Sequence, residues 1–227
     1  MQDPLIDFKR KAEAPRYALL RRLAPAIRHQ MAGSFQPITM MAAIIEKRLL
    51  AASPDLPALA KTSSEVRAMA TAATRSSLDL IGWVSTDPEA RVPLEKGLQD
   101  ALHLVASELS FRGFKCANQT QGVADEVALS HVRGVFLAAV LALTDEAAAP
   151  ATVRLTALRE GNHMVVTIAL TDRGLFTEKA PNAEFQLSLA AYRDIDWSDV
   201  GAMATADGVP VQNTPTQAIL RFPVAAP

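Results

Sequence analysis

Residues 28–41 read Arg28-His-Gln-Met-Ala-Gly-Ser-Phe-Gln-Pro-Ile-Thr-Met-Met41, and they place one histidine on the outward face of an amphipathic helix. At about 100° per residue, Leu20, Leu23, Ile27, Met31, Phe35, Ile38, Met41, Ile45 and Leu49 fall within about 60° of one line, with His29 on the opposite side. An imidazole in that position is exposed and is nucleophilic when neutral. Those are the requirements of a phosphoryl acceptor. A solvated surface histidine on a core helix fits the same pattern, so the rest of the chain has to decide between them.

Working outward, the first helix is expected from Arg16 to Leu50, bent near Pro25 and Pro37, since each proline removes a backbone donor and crowds the carbonyl four residues earlier. Ala51-Ala-Ser-Pro-Asp-Leu-Pro57 breaks it. A second apolar-periodic stretch, with Leu59, Val66, Met69, Ala73, Leu80 and Trp83, predicts a helix over 58–84. Two long helices joined by a short turn make an antiparallel hairpin. Its apolar stripe is wider than one partner helix covers, so pairing with a second copy into a four-helix bundle is expected: a homodimer.

After a linker at 85–90 the pattern changes. Leu94, Leu98, Ala101, Leu102, Val105 and Leu109 mark a helix that Gly113 stops; 114–120 reads as a strand and 127–143 as another helix. Thr152 to Leu158 and His163 to Leu170, flanking Arg159-Glu-Gly-Asn162, carry a β-hairpin signature. Residues 172–184 read as loop, helix is expected to return within 185–205, and a last hairpin joins 209–212 to 218–224 around Asn213-Thr-Pro-Thr216. The expected fold class is α+β, with an N-terminal helical hairpin domain over 1–88 and an α/β sandwich over 89–227.

Composition narrows the function. Lys and Arg number 23 against 24 Asp and Glu, a net charge of −1, which argues for neither nucleic acid nor an anionic membrane surface as partner. The first 50 residues are nevertheless basic, so an acidic partner would suit them, with Arg21, Arg22 and Arg28 available either to steer it or as plain solvated charge. One cysteine, Cys116, excludes an intramolecular disulfide, and His29, His103, His131 and His163 stand at no metal-ligand spacing. The N-terminus lacks the order of a signal peptide and no apolar run reaches membrane-spanning length, so a cytoplasmic setting is expected. Hydrolase elbow, phosphate-binding lysine loop and zinc-protease pair are all absent as motifs.

This order of elements resembles the core of bacterial sensor histidine kinases, a dimerisation and phosphotransfer hairpin followed by an ATP-binding sandwich. The resemblance spans the chain from about residue 16. His29-Gln-Met-Ala-Gly-Ser-Phe-Gln-Pro-Ile-Thr39 aligns with the family's acceptor pattern, putting His29 at the phosphorylated position. Gln30 departs from it, for the family has there an acidic residue thought to assist attack on ATP, a role an amide cannot fill as a base. The nucleotide motifs are worn further. Residues 135–144, Val-Phe-Leu-Ala-Ala-Val-Leu-Ala-Leu-Thr, match the segment that carries magnesium-linked asparagines but contain none, and Mg²⁺ requires hard oxygen ligands. The family's Asp-x-Gly-x-Gly appears as Asp172-Arg-Gly-Leu-Phe176, where Asp172 reads more readily as a turn residue. The stretch 185–191, expected to be glycine-rich, has no glycine.

The resemblance therefore implies a two-component phosphorelay histidine phosphotransferase: His29 takes a phosphoryl group from one receiver's phospho-aspartate and gives it to another receiver's aspartate, without ATP. Arg28, Gln30 and Gly33 would line the docking surface. No cofactor of its own is expected, since the receiver brings Mg²⁺. The alternatives are a non-catalytic pseudokinase that binds a response regulator, and a divergent sensor kinase that retains autokinase activity.

Overall fold

The computed structural model describes residues 4–83, 87, 89–172, 174 and 193–224. Helix α1 runs Pro4–Leu49 and α2 Leu56–Ile81. Strand β1 (Arg91–Pro93), helix α3 (Leu94–Phe111), strand β2 (Phe114–Asn118) and strand β3 (Glu126–Ala128) follow. A continuous helical stretch comes next: α4 (Leu129–His131), a π turn (Val132–Phe136) and α5 (Leu137–Asp145). Strands β4 (Ala151–Glu160) and β5 (His163–Thr171), helix α6 (Trp197–Asp207) and strands β6 (Val211–Thr214) and β7 (Gln217–Pro223) are the remaining elements among the described residues. The protein is α+β, as its patterning predicts.

The packing divides the chain into two compact units, residues 24–85 and residues 1–23 with 86–227. Helix α1 starts well before Arg16, and its first turns are part of the sandwich unit. Ala12, Leu19 and Leu23 are buried there, so Leu23 belongs to the sandwich core although the periodicity assigned it to the hairpin stripe.

In the sandwich unit, a mixed sheet in the order β2-β4-β5-β7-β6 has one parallel pair, β2 with β4, and is otherwise antiparallel. Alternation along the strands sends Val153, Leu155, Val166, Ile168, Leu220 and Phe222 into the core, because successive residues of a strand face opposite sides. The β4–β5 connection is the two-residue turn Gly161–Asn162, closed by the pairing of Glu160 with His163. Gly161 has φ of 57°, a left-handed conformation that glycine adopts without a Cβ penalty. Helix α3 lies close to β1: a Cβ on Gly97 would come within 2.9 Å of Val92 Cγ1. Asp196 caps α6, accepting from the Ser198 and Asp199 amides, while the Asp199 carboxylate accepts from the Asp196 amide, a reciprocal capping box.

In the hairpin unit, the helical assignment runs unbroken through Pro25 and Pro37. Asp55 starts α2 by accepting from the Ala58 amide at 3.0 Å, and Pro57 sits in the first turn, where its missing donor costs nothing. Only Leu59, Thr62, Ala73 and Leu80 of α2 are buried, and no residue of α1 from 24 to 49 is. Phe35, Met40, Leu49, Leu50, Leu56, Leu78 and Ile81 remain exposed. No helix among the described residues is long and apolar enough to cross a membrane.

Candidate functional site

His29 is exposed on α1, between exposed Arg28 and half-buried Gln30. Gly33 stands four residues on, on the same face. It too is exposed, and a Cβ added there would meet nothing within 4 Å. At Gly33 the turn of helix after the imidazole therefore carries no side chain. The Gln30 carbonyl accepts from the Ser34 hydroxyl at 3.0 Å. By the helical period Gly33 shares the face of His29, while Arg28 and Gln30 point about 100° to either side of it.

Arg22, six residues before Arg28, lies in a different environment. Its side chain is 3% exposed, which overturns its reading as a steering or solvated charge. Arg22 Nε and Nη2 donate to Glu108 Oε1 at 3.0 and 2.6 Å, and Nη2 reaches Asp145 Oδ1 at 3.2 Å. Arg112 Nη1 stands 2.8 Å from the same Asp145 oxygen and 3.3 Å from Glu108, and its Nη2 donates to the Thr144 carbonyl at 2.6 Å. The second Asp145 oxygen accepts from the Ile195 amide at 3.2 Å. Two guanidinium groups and two carboxylates thus balance in a nearly dry site, the arrangement buried charges require. A sign of it existed in the sequence: Glu108 occupies a core position of the α3 stripe between Val105 and Leu109, and a carboxylate there needs a cation.

The segment expected to have lost its magnesium ligands is buried along its whole length. Val135 to Ala142 are fully buried and Leu143 is 1% exposed. Thr144, the one hydroxyl, donates to the carbonyls of Val140 and Leu141 at 2.9 and 3.1 Å. Residues 135–144 therefore offer no free oxygen to a hydrated Mg²⁺, and they do not fit a metal–nucleotide complex. Among the described residues no group of three or more His, Cys, Asp or Glu gathers in a way that could hold a metal ion. Asp172 has φ of 53°, a left-handed conformation that Asp tolerates in turns, and its carboxylate accepts from the Thr171 hydroxyl at 3.0 Å. Residues 185–191 lie outside the described residues.

The other singled-out groups separate clearly. His103 is exposed on α3 and His163 half-buried on β5. His131 stacks on Phe222 with ring centroids 6.0 Å apart; its Nδ1 is buried without a partner, and burial holds its pKa below the usual imidazole value. Cys116 is exposed as a residue, yet partial burial pushes its thiol up to about 11, too high for a reactive thiolate. Solvent reaches the residue, while its sulfur stays protonated.

No family model and no curated protein matches this chain. Among solved structures, a histidine kinase from Burkholderia phymatum STM815 is similar at 14% identity over 92% of this chain and 98% of that one, with a TM-score of 0.43. The Acinetobacter baumannii histidine kinase AdeS is similar at 10% identity over 87% and 97%, TM-score 0.41. The catalytic domain of histidine kinase ThkA is similar at 11% identity over 61% and 98%, TM-score 0.40. These scores are low, and the functional reading rests on the residues of this chain.

Proposed function

We propose that this protein is a dimeric histidine phosphotransferase of a two-component phosphorelay. The observation that carries the reading is the exposed imidazole of His29 beside the open position at Gly33, in a chain whose 135–144 segment has only buried apolar groups and one internally bonded hydroxyl where the sequence resemblance would place nucleotide chemistry. In the first half-reaction a neutral imidazole nitrogen of His29 attacks the phosphorus of a receiver's aspartyl phosphate; the N–P bond forms as the P–O bond to the carboxylate breaks, and the aspartate leaves. The second half-reaction is the reverse, on another receiver. Such transfer is mostly positioning and charge neutralisation, which Arg28 can assist and which asks no base of Gln30. Dimerisation is part of the proposal: seven large apolar side chains of the hairpin unit face water in the single chain, and a second copy placing its hairpin alongside would cover them.

The test is incubation of the purified chain with a receiver domain phosphorylated by a small-molecule phosphodonor, followed by assay of acid-labile phosphate. Wild type should gain phosphate and His29→Ala should gain none. Labelling of His29→Ala would move the acceptor to another histidine. Receiver binding without any transfer would favour the pseudokinase, and labelling from ATP and Mg²⁺ would establish an autokinase.

A further inference from the structure

The acceptor stretch of α1 is poorly equipped to be a helix. Pro25 removes the amide that would bond the Arg21 carbonyl, Pro37 removes the one that would bond Gly33, and Gly33 lies between them. None of residues 24–49 is buried in the single chain, so tertiary packing adds little. Helix formation is cooperative and its nucleus is the costly part; a weak stretch therefore depends on a firm one next to it. That firm stretch is directly upstream. Ala12, Pro15, Leu19, Arg22 and Leu23 are buried in the sandwich unit. Arg16 Nη2 pairs with Asp207 Oδ1 at 2.5 Å. One turn before Pro25, Arg22 is locked to Glu108 and Asp145, themselves held by Arg112 and the Ile195 amide.

We infer that the buried cluster Arg22–Glu108–Arg112–Asp145 is the anchor that keeps the acceptor stretch of α1 helical, making Arg22 a positioning residue for His29. In this role the sandwich works as a clamp on the helix stem and needs no nucleotide. A fork-shaped donor makes a good anchor, since the guanidinium reaches two carboxylates from two elements at once, which holds the helix stem up to Leu23 firmly within its own unit. A lysine ammonium, a point charge on a flexible stem, would hold the stem less firmly. The inference uses the proposed role of His29 only to give the helical order its purpose.

Site-resolved hydrogen exchange on the full-length chain tests it. Arg22→Ala leaves a surplus of buried negative charge; the double variant Arg22→Ala/Glu108→Ala removes one charge of each sign and leaves Arg112 paired with Asp145, so the fold is kept electrically balanced. The expected result in the double variant is faster exchange of the amides of residues 26–34, by about tenfold or more, with the β4 and β5 amides protected as in wild type. Phosphate acceptance by His29 should fall in parallel, and Arg22→Lys should restore it only in part. Three results overturn the inference: stem amides 16–23 released while 26–34 stay protected, in which case a second copy alone holds the acceptor helix; no release of the stem at all; or loss of the β4–β5 protection in both variants, which would make the cluster a support of the sandwich. The exchange pattern is read without any phosphoryl transfer, so it stands apart from the test of His29 itself.

Discussion

Residues 137–144 and residues 24–49 are both helical and both rich in small and branched apolar side chains, yet the first stretch is wholly buried and the second has no buried residue at all. Their patterns differ. Leu-Ala-Ala-Val-Leu-Ala-Leu is apolar on every side, and a helix of that kind is stable only when covered all round, which α3, α6 and the sheet achieve within one chain. The stretch 24–49 concentrates its larger apolar side chains on a stripe, with Arg28, His29, Gln30, Gln36 and Glu46 to Arg48 among the remaining positions, and no part of it is buried in the single chain. An all-round apolar helix completes a core, and a striped one in a two-helix unit leaves apolar side chains such as Phe35 and Met40 in water.

Truncation breaks this comparison most sharply. Phe136 is fully buried, so Phe136→Ala should cost about 3–5 kcal/mol through lost burial and the cavity left behind, read as a lower denaturant midpoint for the sandwich. Met40, 61% exposed, is the counterpart; Met40→Ala should change monomer stability by less than about 0.5 kcal/mol. A comparable loss at Met40 would mean that the hairpin closes a core of its own.

Ile38→Asp or Ile45→Asp should convert a dimer to monomer in light scattering, because a carboxylate on that stripe would be buried unpaired by a second copy, at a cost of about 2 kcal/mol or more. Circular dichroism of the sandwich should hardly change. Wild type that remains monomeric at micromolar concentration would remove the second copy as the occupant of the stripe.

The two N-caps separate the units at smaller scale. Asp196→Ala should lower the stability of the sandwich by about 1 kcal/mol and Asp55→Ala that of the hairpin by a similar amount. The Asp196 carboxylate is held below its ordinary range by the Ser198 hydroxyl and the Asp199 and Ser198 amides, so its contribution is present above the unfolded value of about 3.8 and lost as pH falls through the depressed one.

Much of this architecture was legible because each element carries its own period. The β4–β5 hairpin declared itself by two branched runs about Gly161–Asn162, and the hairpin helices by their stripe. Three features were hidden for identifiable reasons. The extension of α1 back to Pro4 follows from burial of Ala12, Pro15 and Leu19 against the sandwich, a long-range contact with no local signature. The strand β3 is three residues whose order comes from pairing with β1, and its Val127 read equally well as the start of the following helix. The burial of Arg22 depends on carboxylates 86 and 123 residues away; only Glu108, polar in an apolar register, hinted at it. For the site, the outward position of His29 and the openness beside Gly33 could be read from the helical period.

The smallest effect probes the sandwich core where it is imperfect. His131 lies half-buried at the start of the π turn, its Nδ1 unpartnered and its ring against Phe222. Burial lowers its pKa from 6.5; the charge of Asp207 opposes this, Arg91 adds to it, and a hydrogen bond to the Asp207 backbone opposes it again, leaving the value lowered. The unfolded chain therefore takes up a proton near pH 6.5 while the folded chain still holds the ring neutral. Stability from this group is whole above 6.5 and drains as pH falls from there through the lowered folded value. His131→Phe keeps an aromatic ring beside Phe222 and removes both the proton and the orphan nitrogen. Its stability, followed by urea titration at several pH values, should thus lose less than wild type between about pH 7 and pH 5. If His131→Phe and wild type fall in parallel, the imidazole is protonated in the fold as easily as out of it, and the sandwich admits water at the π turn.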